Sequence, residues 1–144
     1  MSAIEPGAAW IDQAVLDLEV ARDLRDRHAY ACCFYCQQAG EKALKGLIRL
    51  GGGTPPSTHY VNRLWDALHD ARALLDALPP RESVLVLDQY YMGTRYPDVW
   101  GEETAPGRQY TTADADRALG AANALVGAAA AILARLHGPD IAGD

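Results

Sequence analysis

Apolar positions recur at three- and four-residue intervals through most of this chain, and no stretch of useful length alternates as a half-buried strand would. The spacing predicts a first helix over Ala8 to Arg27, with Ile11, Ala14, Val15, Leu18 and Ala21 on one face. Asp12, Glu19, Asp23 and Asp26 lie mostly away from that stripe. A second helix, Ala29 to Leu50, is apolar nearly all round in its first half, as expected at the centre of a bundle. Its small residues Cys33, Cys36, Gly40 and Ala43 form a strip that would admit a neighbouring backbone, and Leu47 and Leu50 continue the buried face.

Gly51 to Pro56 ends that helix in a loop, after which Ser57 or Thr58 is placed to cap a third. The third carries Val61, Leu64, Leu68, Ala71, Leu75 and Leu78 in register, and Pro79-Pro80 stops it. A shorter fourth helix, Arg81 to Gly93, puts Val84, Leu87 and Tyr91 on one side. Thr94 to Tyr110 holds Pro97, Gly101, Pro106 and Gly107 and is expected to be a long loop, which in a compact domain is usually functional or mobile. The last helix opens at Thr111 or Thr112, with Asp114 and Asp116 favourable to its dipole. Its stripe is Leu119, Ala122, Val126, Ala129, Leu133 and Leu136, and Gly138-Pro139 is expected to close it. The expected fold class is all-α: an up-and-down helical bundle of four main helices plus one short helix. It forms a single domain over residues 1–144 with its core at about 8–137, and Leu18, Leu47, Leu64, Leu68, Val126 and Leu133 should be buried.

Composition adds constraints. The chain is 49% hydrophobic and 22% charged, ordinary for a folded domain. Charges interrupt every apolar stretch before the roughly 18 residues a membrane span needs. Met1 to Pro6 lacks the basic-then-apolar pattern of a secretion signal, so a cytoplasmic protein is expected. A formal charge of −6 argues against a broad basic surface for a polyanion, but leaves room for a local patch. Cys32, Cys33 and Cys36 fall within one helix, where packing accounts for them better than a disulfide framework. Cys33-x-x-Cys36 has no second ligand pair at zinc spacing, so no metal is expected.

Both lysines of the chain, Lys42 and Lys45, share a face of the second helix with Gln38 and Arg49, beside Gln37 and Glu41. This strip is either a solvated face with a Glu41–Lys45 pair or a site for an anion or partner. Tyr90 to Asp98 sets Arg95, whose planar fork suits phosphate or carboxylate, among tyrosines that offer stacking faces. The structural alternative has Arg95 paired with Asp98 or Glu41 and the tyrosines plugging the bundle's end. His59, just after the Pro-Pro loop, is a ligand contact or a cap-region residue bonded to nearby backbone.

Gln37-Gln38-Ala39-Gly40-Glu41-Lys42-Ala43-Leu44-Lys45, then Thr58-His59, then Thr94-Arg95-Tyr96-Pro97-Asp98 occur in that order on successive elements. Over about Ala8 to Leu136 the chain resembles the HEPN domain family, in the branch with the Thr-Arg-Tyr-Pro-Asp motif. The resemblance implies a homodimer associated with nucleotide, with RNA, or with a minimal nucleotidyltransferase encoded beside it. Many members are metal-independent ribonucleases with an Arg and a His four to six residues apart near the start of a late helix. Here no His follows Arg95 at that spacing, since residues 100 to 102 are Trp, Gly and Glu. Arg22 with His28 and Arg63 with His69 meet the bare spacing, but neither lies where the family keeps its motif.

The leading expectation is a HEPN subunit, non-catalytic alone and without cofactor, working with a nucleotidyltransferase in a toxin–antitoxin-like two-gene module. Gln38, Lys42, Lys45, His59, Arg95, Tyr96 and Asp98 would line or brace its cleft. The alternatives are a metal-independent ribonuclease toxin using His59 and Arg95, and a helical dimerisation module without a ligand.

Overall fold

The computed structural model describes residues 5–68 and 76–142, with side chains as far as residue 136. The elements are α1 (Ala8–Leu24), α2 (Ala29–Leu50), α3 (Val61–Asp66), α4 (Arg81–Leu85) and α5 (Thr112–Ala142). Short 3-10 turns occur at Val86–Tyr90, Pro97–Trp100 and Pro106–Arg108, and the described residues contain no strand. The all-α expectation holds.

α2 is the central element, packed against α1 and α5, which also meet each other. It sinks Cys32, Cys33, Cys36, Ala39, Ala43, Leu44 and Leu47 completely, as its all-round apolar pattern requires. All three cysteines are free, fully buried thiols that serve packing, and burial pushes Cys33 up to about 12. Among the described residues no cluster suited to a metal ion occurs.

The close backbone approach lies one turn beyond the strip picked out by pattern. A Cβ on Gly40 would meet only side chains, Leu87 and Leu125. A Cβ on Gly46 would lie 2.6 Å from Ile11 Cγ1 and 3.0 Å from the Gly7 carbonyl oxygen, so here α2 and the start of α1 nearly touch. Gly7 itself sits at φ 99°, in the left-handed region that glycine enters without steric cost.

α1 ends at Leu24, and Arg25 to Arg27 form a turn rather than further helix. The expected third helix is helical over Val61–Asp66 and turns at Ala67 and Leu68; Ala71 and Leu75, and with them His69, fall outside the described residues. Neither Ser57 nor Thr58 caps α3. The Asp88 carboxylate does so from across the fold, accepting from Val61 N at 2.5 Å and Asn62 N at 3.1 Å. The fourth helix tightens after Leu85 into the 3-10 turn Val86–Tyr90.

α5 continues through Gly138-Pro139 to Ala142 instead of stopping there. Its buried line is Ala115, Ala118, Ala122, Leu125, Val126, Ala129 and Ile132, while Leu119 and Leu133 are half-buried and Leu136 is exposed. The predicted stripe holds at Ala122, Val126 and Ala129 and leaves the buried face at its leucine ends, Leu119, Leu133 and Leu136. By length and composition alone, Thr112–Leu136 could cross a membrane, with mean hydropathy 1.6. In its apolar stretch 39% is buried, and the helix packs against both α1 and α2.

Candidate functional site

The polar side of α2 is an ordered network, not a solvated face. Glu41, 4% exposed, is its hub. Lys45 Nζ donates to Glu41 Oε2 at 3.0 Å, confirming the expected i, i+4 pair, and Gln37 Nε2 donates to Oε1 at 3.2 Å. His59 Nδ1 lies 3.3 Å from both carboxylate oxygens. Gln37 also donates to the His59 backbone carbonyl at 2.8 Å, and Gln38 donates to Gln37 at 2.8 Å. The chain after the Pro-Pro loop is thereby pinned to α2 at the residue that carries the imidazole.

Nδ1 is the nitrogen turned to the carboxylate, on a ring that stays half-exposed, and Nε2 has no partner among the described residues. The ring itself stacks on Tyr91, centroids 4.7 Å apart and planes 15° from parallel. Tyr60 meets the same Tyr91 edge-on at 6.1 Å. Lys45 also reaches over Trp10, 5.5 Å from the ring centroid.

Arg95 packs against the same Tyr91 ring. The turn that presents it is closed by Arg95 N and Tyr96 N, both donating to the Met92 carbonyl at 3.1 Å. Beneath it, Thr94 is buried and its hydroxyl donates to the Tyr90 carbonyl at 2.7 Å. The guanidinium carbon lies 4.5 Å from the centroids of Phe34 and Tyr91 and 4.9 Å from that of Tyr96. Nε donates to the Tyr91 carbonyl at 2.9 Å, while the two Nη groups have no acceptor among the described residues. Arg95 pairs with neither Asp98 nor Glu41, contrary to the structural alternative; aromatic faces hold it instead.

The long loop is tied down. Trp100 Nε1 donates to the Gly93 carbonyl at 2.8 Å, Tyr110 meets Trp100 and Tyr90 edge-on, and Pro106 is buried. Burial pushes the Tyr90 and Tyr110 phenols up to about 12. The loop therefore presents Arg95 from a packed base.

The expected cleft is thus partly assembled. Gln38, Lys45 and His59 meet through Glu41 and Gln37, and Tyr91 links His59 to Arg95 and Tyr96. Lys42 does not join them: its Nζ lies 2.5 Å from Asp17 Oδ2 on α1, where Gln13 Nε2 donates to the other oxygen at 3.0 Å. Asp98 is exposed in the turn after Pro97, with no side-chain partner among the described residues. Sequence patterns found Glu41 as the partner of Lys45 but missed that it also meets His59, and they missed Phe34 and the sharing of Tyr91 by His59 and Arg95. Only Tyr91 had a signal, as one of the tyrosines around Arg95 that offer stacking faces.

A family model for the HEPN domain matches residues 8–132. Two solved structures are similar along most of the chain. The crystal structure of TT1696 from Thermus thermophilus is 30% identical, with a TM-score of 0.70 over 88% of this chain and 97% of that one. The structure of ST0689, described as an archaeal HEPN homologue, is 31% identical, with a TM-score of 0.67 over 91% of this chain and all of that one. A comparison with curated proteins returns no match.

Proposed function

The chain belongs to the HEPN domain family, and on that premise we propose that it is a nucleotide- or RNA-associated subunit, non-catalytic alone, that works with a separately encoded nucleotidyltransferase in a two-gene module. The observation that carries this reading is the placement of Arg95. An exposed guanidinium is held over Phe34, Tyr91 and Tyr96 with its Nη donors free, and Tyr91 also stacks on His59. A cation oriented by aromatic faces, beside an imidazole with one free nitrogen, suits a phosphate with an adjoining planar base.

The partner is argued from the family resemblance and from charge. A chain of net charge −6 lacks the broad cationic surface for gripping a nucleic acid by itself, which favours a complex in which the partner supplies that surface. Within the complex, the chain would act as a homodimer in the cytoplasm.

Catalysis by the chain alone would need an acid–base group within hydrogen-bond reach of the attacking 2′-hydroxyl. The family's usual position for that His, downstream of Arg95, holds Trp100, Gly101 and Glu102. The test pairs two assays: incubation of purified chain with RNA in EDTA, and co-purification with a nucleotidyltransferase encoded by an adjacent gene. Intact RNA and a stable complex support the proposal. RNA cleavage abolished by His59→Ala, in a folded variant, would replace it with the ribonuclease reading.

A further inference from the structure

A groove of about 550 Å³ lies beside the Arg95 platform, between the start of α2 and the turn Pro106–Arg108. Its walls carry Tyr30, Arg95, Pro106 and Arg108, with buried Thr94 at its floor, and no carboxylate lines it. On a chain with 19 acidic and 13 basic residues, that is the reverse of the average surface.

Most cations described elsewhere are engaged. Arg25, Lys42, Lys45, Arg81 and Arg117 each face a carboxylate, and Arg49 donates to the Gly53 carbonyl. Arg108, like Arg27, Arg63 and Arg135, is exposed and has no side-chain acceptor among the described residues, but of these four it alone lines the groove. Its backbone is fixed, because Arg108 N donates to the Ala105 carbonyl at 3.0 Å. Arg95 likewise keeps both Nη groups free. Two arginines with unused guanidinium donors therefore line one cavity from separate, anchored turns.

The aromatic wall is also held. A Cβ on Gly107 would lie 3.0 and 3.1 Å from Tyr30 ring carbons, so the phenol rests directly on a glycine backbone. His28 meets that ring edge-on at 6.2 Å. The volume falls within the roughly 300–1,000 Å³ usual for small-ligand sites.

We propose that this groove takes a nucleoside 5′-phosphate, its phosphomonoester gripped between Arg95 and Arg108 and its base laid against Tyr30. Two planar forks match the dianionic terminal phosphate better than the monoanionic diester of an uninterrupted strand. The ligand chemistry is the same in a free mononucleotide and in the 5′ end of an RNA. This inference rests on the nucleotide-association reading and assigns its substrate class, with Arg108 as a residue that reading did not include.

The test is calorimetric titration of the full-length chain with AMP, adenosine, and a short oligoribonucleotide bearing either a 5′-phosphate or a 5′-hydroxyl. Tighter binding by AMP or by the phosphorylated RNA identifies which source is preferred. The expected result is at least about tenfold tighter binding of the phosphorylated member of each pair that binds. Arg108→Ala should erase that preference, Gly107→Val should weaken binding by displacing Tyr30, and Arg135→Ala should do neither. Equal affinity for phosphorylated and unphosphorylated ligands, or a preference that survives Arg108→Ala in a folded variant, overturns the groove while leaving nucleotide association standing. If none of the four ligands binds, the groove and nucleotide association by the chain alone both fall, and co-purification of a nucleotidyltransferase would then uphold the partnership by itself.

Discussion

The His59 imidazole and the Tyr91 phenol lie face to face, 4.7 Å between centroids, with the Arg95 guanidinium 4.5 Å from the same phenol ring. Tyr91 thus serves two motif residues that lie 36 positions apart in sequence by their numbering, His59 and Arg95. Replacing it by Phe keeps the ring and should change ligand affinity by less than about threefold. Tyr91→Leu removes the platform and should cost several-fold, in line with about 0.5–1 kcal/mol per exposed cation–π contact. Titration of the His59 ring by NMR, in both variants, checks whether the imidazole moves with the platform.

Lys42 belongs to stability rather than to the cleft. Asp17 is 5% exposed and faces Lys42 and Gln13 only through side chains that bridge α1 and α2 or lie along α1. Lys42→Ala leaves a buried carboxylate without its cation and should destabilise by about 1–3 kcal/mol. The double variant with Asp17→Ala should lose less than the sum of the single losses, because removing both partners leaves no orphaned charge. Urea unfolding of the four proteins measures the coupling, while ligand affinity per folded molecule should stay unchanged.

Gly7 is the least replaceable residue in the α1–α2 contact. It has φ 99°, and a Cβ there would lie 2.3 Å from the Gly46 carbonyl oxygen, a backbone atom that cannot swing aside. Left-handed strain and overpacking together predict a loss of about 2–4 kcal/mol for Gly7→Ala. Gly40→Ala should cost less, since its nearest obstacle is the far end of the Leu87 side chain. Paired thermal denaturation curves compare them.

The helices were legible because their signals are local. α2 spans the predicted Ala29–Leu50, and α1 and α5 begin where the pattern places them. What escaped was set by tertiary contact. The α3 cap comes from Asp88, 27 residues from Val61, so no search of the preceding residues finds it. Lys42 and Lys45 look alike in the sequence, three positions apart on one helix. They diverge because Asp17 of α1 lies within reach of one and Glu41 of the other. Arg95 stood out by the tyrosines beside it in sequence, but its aromatic bed also includes Phe34 from α2, which no spacing connects to it.

The start of α5 sets an acid limit on stability. Thr111 N donates to Asp114 Oδ2 at 2.8 Å, and Asp114 N donates back to Thr111 Oγ1 at 3.3 Å, a reciprocal capping box. Thr111→Ala should cost about 1 kcal/mol. The bonds from Thr111 hold the Asp114 carboxyl below its ordinary range, and the Arg25 guanidinium does the same to Asp116. A carboxyl depressed in the folded state contributes fully above its unfolded value, near about 4, and loses that contribution as pH falls through the folded value. Melting temperature should therefore fall below about pH 4, and Asp114→Asn should flatten that fall. An unchanged acid slope in Asp114→Asn would remove the capping box as its source.

The most direct measurement of the central claim is the dissociation constant of labelled AMP, a phosphate with an adjoining base, for the wild type, Arg95→Ala and Arg135→Ala, each verified as folded by circular dichroism. Arg95 lies on the aromatic platform, whereas Arg135 is an exposed arginine on α5 with no described side-chain contact to it. The account predicts about a tenfold or greater loss in Arg95→Ala, the scale of a charge-assisted bond, and wild-type affinity in Arg135→Ala. Equal affinity in all three proteins would contradict it.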